Sequence, residues 1–288
     1  MAQTTSKTHG TDVLNQEGKA IGERLWSYAV GVTNRALVTT GTDPVTELPA
    51  REEETPGTGV AGRWNDQHFI AIAKHVLVSA TPSDLSLFVR ERGDLKVQHA
   101  SQVTPQDASA PIPLNDPTAV IHRSPTEDLA VITISPNAVS PLLEFFDFRD
   151  GQWVDPTEGE IVAGVGYPVA VGVRFQHQVG SIIHGNIVLS PTPFTGRVLP
   201  DATGRYFQKF DPARHYLTTY EPTESGTHPS GISGAAVWIE SKEKQAVWAA
   251  RLQFAGVCTD CYRDGTVEQI IRASVVRQFL ADVFGPKK

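Results

Sequence analysis

The stretch Pro229-Ser230-Gly231-Ile232-Ser233-Gly234-Ala235-Ala236-Val237 decides the fold when it is read together with two segments that precede it. The Gly-x-Ser-Gly arrangement at 231–234 allows a sharp backbone turn, so the N–H groups of Gly231 and Ser233 can point to one spot beside the serine hydroxyl. Two such donors would form an oxyanion hole, in which one donor is worth about 2.7–4 kcal/mol to the transition state. Taken alone, the pattern fits a serine- and glycine-rich hairpin almost as well.

Two earlier segments supply the groups that a nucleophilic serine needs. Ala73-Lys74-His75-Val76 follows the apolar run 69–72, which places His75 at the end of a predicted strand. Asp128 precedes the apolar run 129–132, where a half-buried carboxylate needs a polar partner such as an imidazole N–H. Each segment alone has an ordinary structural explanation, since the chain has nine histidines. Only their combination with Ser233 indicates a catalytic site.

The order of these residues along the chain separates two kinds of serine hydrolase. His75, Asp128 and Ser233 follow the order His, Asp, Ser, which is that of the chymotrypsin type. An α/β-hydrolase places its histidine after the serine, whereas the last histidine here, His228, precedes Ser233. The order therefore excludes the α/β-hydrolase reading of the Gly-x-Ser-Gly turn.

With these residues in place, the chain resembles bacterial trypsin-like serine peptidases of the chymotrypsin fold. The likeness extends over about residues 25–284. It is carried by Gly57-Thr58-Gly59, Ala73-Lys74-His75, Asp128-Leu129-Ala130-Val131, Gly166-Tyr167-Pro168, Gly231-Ile232-Ser233-Gly234, Ala255-Gly256-Val257 and a C-terminal helix. The resemblance implies an all-β fold of two antiparallel six-stranded β-barrels with a C-terminal α-helix, and a site in the cleft between the barrels.

The distribution of short apolar runs independently favours an all-β sandwich or barrel. Such runs are separated by turn residues about every ten positions, in a chain with 20 prolines and 24 glycines. Arg92-Gly93-Asp94 is a candidate hairpin turn, and Ser274 is the predicted cap of a helix that ends at Gly285-Pro286. We expect a disordered tail at 1–20, barrels at 21–145 and 146–272, and the helix at 273–288.

The resemblance also implies roles for individual residues. Ser233 would attack a peptide carbonyl, His75 would carry its proton, Asp128 would orient the imidazole, and Gly231 and Ser233 would form the oxyanion hole. The substrate side chain would lie against three further residues, namely Thr227, His228 and Thr259. Since Thr227 is not an acid, it gives no support for a preference for Lys or Arg.

Ile232 departs from the pattern of secreted zymogens, which carry Asp just before the serine to pair with a new N-terminus. Activation by that route is not expected, so a loop or a protein partner would have to regulate the enzyme. The segments 41–56 and 191–211 are long enough to cover a cleft.

Composition excludes several other classes of function. The formal net charge is −7, with 25 Lys and Arg against 32 Asp and Glu, which argues against nucleic acid as a partner. No apolar run approaches the roughly 20 residues of a membrane helix, and the first residues lack a signal-peptide core. The sequence therefore predicts a cytoplasmic protein that acts on proteins or peptides, needs no cofactor or metal, and interacts with no membrane.

Two alternatives stay open, one for the state of the two cysteines and one for the function. Cys258-x-x-Cys261 is half of a zinc ribbon with no second pair, so two reduced thiols are favoured over a metal site. The rival function is a catalytically silent member of the same fold that binds a protein partner. Intact His75, Asp128 and Ser233 count against that rival, while the atypical Ile232 and Ala235 keep it open.

Overall fold

The computed structural model describes twelve segments of the chain. They are 25–34, 55–89, 112–138, 143–148, 153–168, 173–179, 182–188, 191–207, 209–222, 227–240, 252–262 and 265–285.

These segments form β-strands, short 3-10 helices and an α-helix. The strands are β1 (Ala29–Asn34), β2 (Thr55–Trp64), β3 (Gln67–Ile72), β4 (Leu85–Phe88), β5 (Ile112–Pro113), β6 (Val120–Arg123), β7 (Ala130–Thr133), β8 (Phe146–Asp147), β9 (Ile161–Gly166), β10 (Val173–Val179), β11 (Ile182–Val188), β12 (Thr192–Arg197), β13 (His215–Thr219), β14 (Glu221–Pro222), β15 (Ala236–Glu240), β16 (Leu252–Tyr262) and β17 (Val267–Arg272). The 3-10 helices are Trp26–Tyr28, Lys74–Leu77, Pro82–Asp84, Pro136–Ala138 and Asp201–Tyr206, and the α-helix, α1, is Ala273–Phe284.

The first sheet contains the strands of the N-terminal half in the order β5-β4-β1-β2-β3-β7-β6. Neighbouring strands along this path are antiparallel, and β8 adds a short parallel pairing to β2. Because β3 pairs with both β2 and β7, the segments that follow β3 and precede β7 emerge side by side at one end of the sheet.

The second sheet has the order β13-β17-β16-β15-β9-β12-β14 and curls until its ends meet. An antiparallel bridge joins Val198, just after β12, to Thr218 in β13, and Leu199 N donates to Leu217 O at 2.8 Å. These contacts close the sheet into a barrel. The hairpin β10–β11 pairs only with itself among the described residues.

The predicted fold class is confirmed: two curled antiparallel sheets are accompanied by one C-terminal helix. Within the described residues, the first sheet has eight strands and the second has seven. The surplus over the predicted six consists of two-residue strands, β5 and β8 in the first sheet and β14 in the second. Six longer strands remain in each.

Alternating side chains divide the core between the barrels and their interface. In β3, Ile70 and Ile72 pack inside the first barrel, while Phe69 and Ala71 pack in a cluster shared by both sheets and α1. In β17, Ile270 likewise lies inside the second barrel and Ile271 in the shared cluster. This period of two is what strands covered on both faces require.

The C-terminal helix differs from its prediction at the first residue. Helix α1 begins at Ala273, so Ser274 is not its cap. Instead, Asp155 Oδ1 accepts a hydrogen bond of 3.2 Å from the Ser274 N–H, which a sequence-local rule does not anticipate. The helix ends at Gly285, whose φ of 80° agrees with the predicted stop.

Two segments, 41–56 and 191–211, were predicted to be long enough to cover the cleft. Residues 191–211 contain β12 and the helix Asp201–Tyr206, and the charge of Lys209 in the same segment acts on His75. Its role as a cover stays a prediction. Of 41–56, only the last two residues are described, and they begin β2. The predicted hairpin turn Arg92-Gly93-Asp94 also lies outside the described residues.

None of the described helices is long and apolar enough to cross a membrane.

Candidate active site

His75 lies in a single 3-10 turn that follows β3. The turn is held by Val76 and Leu77, which are buried in the first barrel, whereas the His75 side chain is 47% exposed. Apolar anchors on one side of a short turn therefore fix the backbone and leave the imidazole at the surface.

Asp128 contacts His75 through both carboxylate oxygens. Its Oδ1 accepts from the His75 backbone N–H at 2.8 Å, and its Oδ2 lies 2.6 Å from His75 Nδ1. Lys74 N also donates to Asp128 O at 3.2 Å. The pairing of Ile72 with Ala130 between β3 and β7 brings the two segments together. An ionised carboxylate only accepts, so Nδ1 carries the proton and Nε2 is left as an acceptor.

The electrostatics of this pair favour the charged imidazole. The hydrogen bond to Asp128 raises the pKa of His75 above 6.5, against desolvation, and the charges of Asp128 and Asp260 raise it further. Lys209 opposes them. For Asp128, burial raises the pKa, but the hydrogen bonds and charge of His75 outweigh burial and lower it below 3.8. The carboxylate is therefore ionised at neutral pH and stabilises a protonated imidazole.

Ser233 lies in a tight double turn between the first and second barrels. Ile232 N donates to Pro229 O at 3.0 Å, and Ala235 N donates to Ile232 O at 2.8 Å. Ile232 and Ala235 are buried in the core of the second barrel, while Ser233 is half-buried. The buried side chain of Ile232 thus anchors the turn.

The geometry places this turn against the His75 segment. Ser233 O accepts from Thr58 N at 2.9 Å, and the next residue, Gly234, lies so close to the first barrel that a Cβ on it would be 2.9 Å from Ala73 N. No hydrogen bond between Ser233 Oγ and the His75 ring occurs in the part of the chain that is described.

The backbone N–H groups of Gly231 and Ser233 have no hydrogen-bond acceptor among the described residues. Gly231 has a φ of 98°, in the region that favours glycine. Two unpaired N–H groups two residues apart on a turn are available to an anion or a polarised carbonyl oxygen.

Thr58 is a site residue that the sequence reasoning missed. Its hydroxyl donates to Gly231 O at 2.9 Å and accepts from Tyr167 N at 2.8 Å, while its backbone N–H binds Ser233 O. The residue is completely buried. Gly57-Thr58-Gly59 was one of the motifs that carry the resemblance, but no role was assigned to the Thr58 hydroxyl.

A second ion pair next to Asp128 was also missed. Glu127 is 6% exposed, pairs with Arg214, and has Oε2 2.9 Å from His215 Nε2. His215 Nδ1 accepts from Asp211 N at 3.2 Å, so Nε2 carries the hydrogen that Glu127 accepts. Since Arg214 and His215 belong to the second barrel, this cluster ties the Asp128 segment of the first barrel across the cleft.

The predicted substrate-binding residues lie near the Ser233 turn with different exposures. Thr227 is buried, whereas His228 is exposed and accepts from Ser230 N through Nδ1 at 3.2 Å. Thr259 is buried, and its hydroxyl donates to Gln269 O at 3.3 Å. Of these, only His228 presents a polar side chain to solvent.

The cysteines are free thiols in positions that suppress reactivity. Burial raises the pKa of Cys258 well above its usual range and that of Cys261 to about 12. Within the described segments, no group of three or more His, Cys, Asp or Glu side chains is arranged to hold a metal. The thiols therefore remain protonated at neutral pH.

Gly234→Ala is expected to lower the free energy of unfolding by about 3 kcal/mol or more. The residue has a φ of 96°, and an added Cβ would overlap Thr58 O and press on Ile72. Gly159→Ala is the matched control, since Gly159 also has a positive φ, 84°, but has no heavy atom within 4 Å of the added Cβ. It should cost about 1–2 kcal/mol. Urea denaturation of both variants measures the difference, and equal losses would contradict the close approach.

Comparison with known proteins supports the fold. The chain matches no protein-family profile and no curated protein sequence. It is similar to the crystal structure of the scabies mite inactivated protease paralogue S-D1, with 14% identity, a TM-score of 0.51, and coverage of 91% of this chain and 93% of that one. That likeness shows a chymotrypsin-like double barrel.

Two viral structures also match over most of their length. The tobacco vein mottling virus protease has 9% identity, a TM-score of 0.44, and coverage of 92% of this chain and 86% of its own. The catalytically active tobacco etch virus protease complexed with product has 10% identity, a TM-score of 0.45, and coverage of 91% and 80%. At these scores, neither adds to the argument.

Proposed function

We propose that the protein is a serine endopeptidase that uses Ser233, His75 and Asp128 and forms an acyl-enzyme. The observation that carries this proposal is the two-point contact of Asp128 with His75, at 2.8 and 2.6 Å, beside the Ser233 turn. A purely structural histidine would not need its backbone and its ring fixed by the same carboxylate while its other nitrogen stays at the surface.

In the first step, Ser233 Oγ attacks the peptide carbonyl carbon and its proton passes to His75 Nε2. The Oγ–C bond forms as the carbonyl electron pair moves to oxygen. The N–H groups of Gly231 and Ser233 stabilise that oxyanion, and Asp128 stabilises the imidazolium.

In the second step, the imidazolium of His75 protonates the leaving amine as the C–N bond breaks, and an ester on Ser233 remains. Water, deprotonated by the same nitrogen, then attacks the ester and returns the free serine. The substrate is a protein or peptide whose side chain lies near Thr227, His228 and Thr259.

The Ser233 turn is set by internal contacts in this proposal. Burial of Ile232 and the hydrogen bonds of Thr58 hold it, so no proteolytic cut is needed to complete the site. Control of the activity then falls to a protein partner or to a loop, for which 41–56 and 191–211 are the candidates. A purified protein that cleaves peptides at full rate without a lag or an activator would contradict this regulatory element.

A fluorophosphonate probe tests the proposal directly. Wild type is expected to gain the mass of one phosphonyl group on Ser233, because only an activated serine displaces the fluoride leaving group. The Ser233→Ala variant should gain none, and Ser230→Ala, which removes the exposed neighbouring serine, should label like wild type. Absence of labelling on the native protein, with and without cell extract as a source of partners, would refute the proposal.

The rival function is a silent double barrel that binds a protein partner. The fold permits this, since the scabies mite structure is described as an inactivated protease paralogue. The rival function predicts no labelling by the fluorophosphonate probe and a Ser233→Ala variant with unchanged biological activity. A Ser233→Ala variant that loses activity while still binding its partner would exclude it.

A further inference from the structure

The carboxylate of Glu127 is bound by the second barrel through both of its oxygens. Oε1 pairs with the Arg214 guanidinium, and Oε2 lies 2.9 Å from His215 Nε2. The Glu127 side chain is only 6% exposed, and a carboxylate buried to this degree is stable only when it is paired. The next residue, Asp128, binds within the first barrel instead. Two adjacent carboxylates of one loop therefore face different barrels.

The loop between β6 and β7 that carries Glu127 is closed by internal contacts. Ser124 N donates to Leu129 O at 2.9 Å, and the Ser124 hydroxyl accepts from Glu127 N at 3.0 Å. Lys74 Nζ, from the 3-10 turn after β3, donates to Ser124 O at 2.8 Å. The loop and that turn are thus joined to each other, so the position of the Glu127 carboxylate also determines where Asp128 lies.

The partners of Glu127 are fixed in the second barrel. His215 begins β13, which pairs with β17 along its whole length. The backbone N–H groups of His215 and Arg214 both donate to Asp211 O, at 2.7 and 2.9 Å, and Arg214 O accepts from Arg272 N at 2.9 Å. The contacts of Glu127 therefore join two rigid parts of the molecule, whereas an ordinary surface ion pair joins two mobile side chains.

Another polar contact between the barrels lies on the opposite side of the His75 turn. Thr58 of β2 binds the Ser233 turn, and β3 lies between β2 and β7 in the first sheet. The His75 turn, which follows β3, thus has Thr58 on its β2 side and Glu127 on its β7 side. The shared apolar cluster also holds the barrels together, but apolar contact has no preferred direction. Two directional contacts that flank His75 fix the angle between the barrels, which one contact alone leaves free.

We propose that Glu127 is a positioning residue, which holds His75 of the first barrel within reach of Ser233 on the second. This deepens the proposed function and rests on it. Glu127 acts through Arg214 and limits the relative motion of base and nucleophile, since a misplacement of about 1 Å can cost about 100-fold in rate. A buried ion pair adds little net stability compared with apolar side chains, so its contribution here is the single arrangement of the barrels that it specifies.

Glu127→Gln is expected to lower kcat at least about 10-fold while KM changes less than about 3-fold. Glutamine keeps the shape but turns an NH2 group toward one of the two donors, and the substrate contacts are untouched. The rate is expressed per site labelled by fluorophosphonate, so that unfolded protein does not count. Asp147→Asn is the matched control, because it breaks an ion pair with Arg63 inside the first barrel and should keep kcat. An unchanged kcat per labelled site in Glu127→Gln would overturn the proposal.

Two variants of His215 separate positioning from stability. His215→Gln retains a donor near the position of Nε2 and should stay within a few-fold of the wild-type kcat. His215→Leu remains apolar and buried but loses the donor, so its kcat should fall about as far as that of Glu127→Gln. Combining His215→Leu with Glu127→Gln should add no further loss, because both act on one contact. Equal kcat values for His215→Gln and His215→Leu, or losses that multiply in the double variant, speak against the proposal.

Amide hydrogen exchange measures the attachment of the barrels without any reaction. The Thr58 N–H donates to Ser233 O across the barrels, and it should exchange at least about 10-fold faster in Glu127→Gln than in wild type or Asp147→Asn. If wild type is labelled while Glu127→Gln keeps both the exchange rate and kcat, the positioning role is refuted and the peptidase remains. Faster exchange in Glu127→Gln, with no labelling of wild type, supports the attachment through Glu127 and refutes the peptidase.

Discussion

Asp128→Asn is expected to lower kcat about 10⁴-fold with little change in KM, the loss seen when a triad carboxylate becomes an amide. Asp128 accepts hydrogen bonds from His75 Nδ1 and from the His75 backbone N–H. An amide that turns its NH2 group toward Nδ1 forces the ring hydrogen onto Nε2, and the ring then cannot accept the serine proton. Steady-state kinetics on a peptide substrate measures the loss.

The pH profile distinguishes this mechanism from a structural defect. His75 acts as a base only when neutral, and its raised pKa places the loss of wild-type activity, as pH falls, above pH 6.5. Asp128→Asn removes the main cause of the raised pKa, so its residual activity should persist to lower pH. Asp260→Asn should move the profile in the same direction without the 10⁴-fold loss, because Asp260 acts on His75 only through its charge.

The control for this experiment is Asp84→Asn, which changes a half-buried acid in the capping box of a 3-10 helix with Thr81. It should leave kcat and the pH profile unchanged. A decrease of less than 10-fold in kcat for Asp128→Asn would contradict the role proposed for the carboxylate, whatever its effect on stability.

The fold class could be predicted from the sequence because it depends on local patterns. In β3, the continuous apolar run 69–72 is visible in the letters, because both faces of the strand have apolar partners. The short strands such as β8 were not visible, because two residues carry no period. The contact of His75 with Asp128 was anticipated from chain order, and the pairing of β3 with β7 explains it.

The remaining site residues were beyond sequence reasoning because each depends on a contact between distant segments. In the sequence, Glu127 looks like an ordinary acidic residue of a turn. Only the folded chain shows that it forms ion pairs with Arg214 and His215 across the cleft. Thr58 binds Gly231 and Tyr167, which are more than a hundred positions away. Burial and pairing are properties of the folded chain, so no spacing rule reveals them.

Thr58→Val is expected to lower kcat about 100-fold, comparable to the loss of one oxyanion donor, with a small change in KM. Valine keeps the shape of threonine but leaves Gly231 O without its donor and Tyr167 N without its acceptor, both of them buried. Gly231 is then no longer held at its φ of 98°, and its N–H no longer points at the position of the oxyanion. The backbone bond from Thr58 to Ser233 O remains, so the turn stays attached.

The two comparison variants for Thr58 separate positioning from stability. Thr58→Ser retains the hydroxyl and should restore kcat to within a few-fold of wild type. Thr33→Val removes another fully buried hydroxyl, one with no partner among the described residues, and should leave kcat and stability unchanged or slightly improve stability. If Thr58→Val lowers the melting temperature but labels with fluorophosphonate and turns over like wild type, Thr58 is only a structural clamp. A 100-fold loss of kcat that serine restores means that the Thr58 hydroxyl holds the Ser233 turn in its active shape.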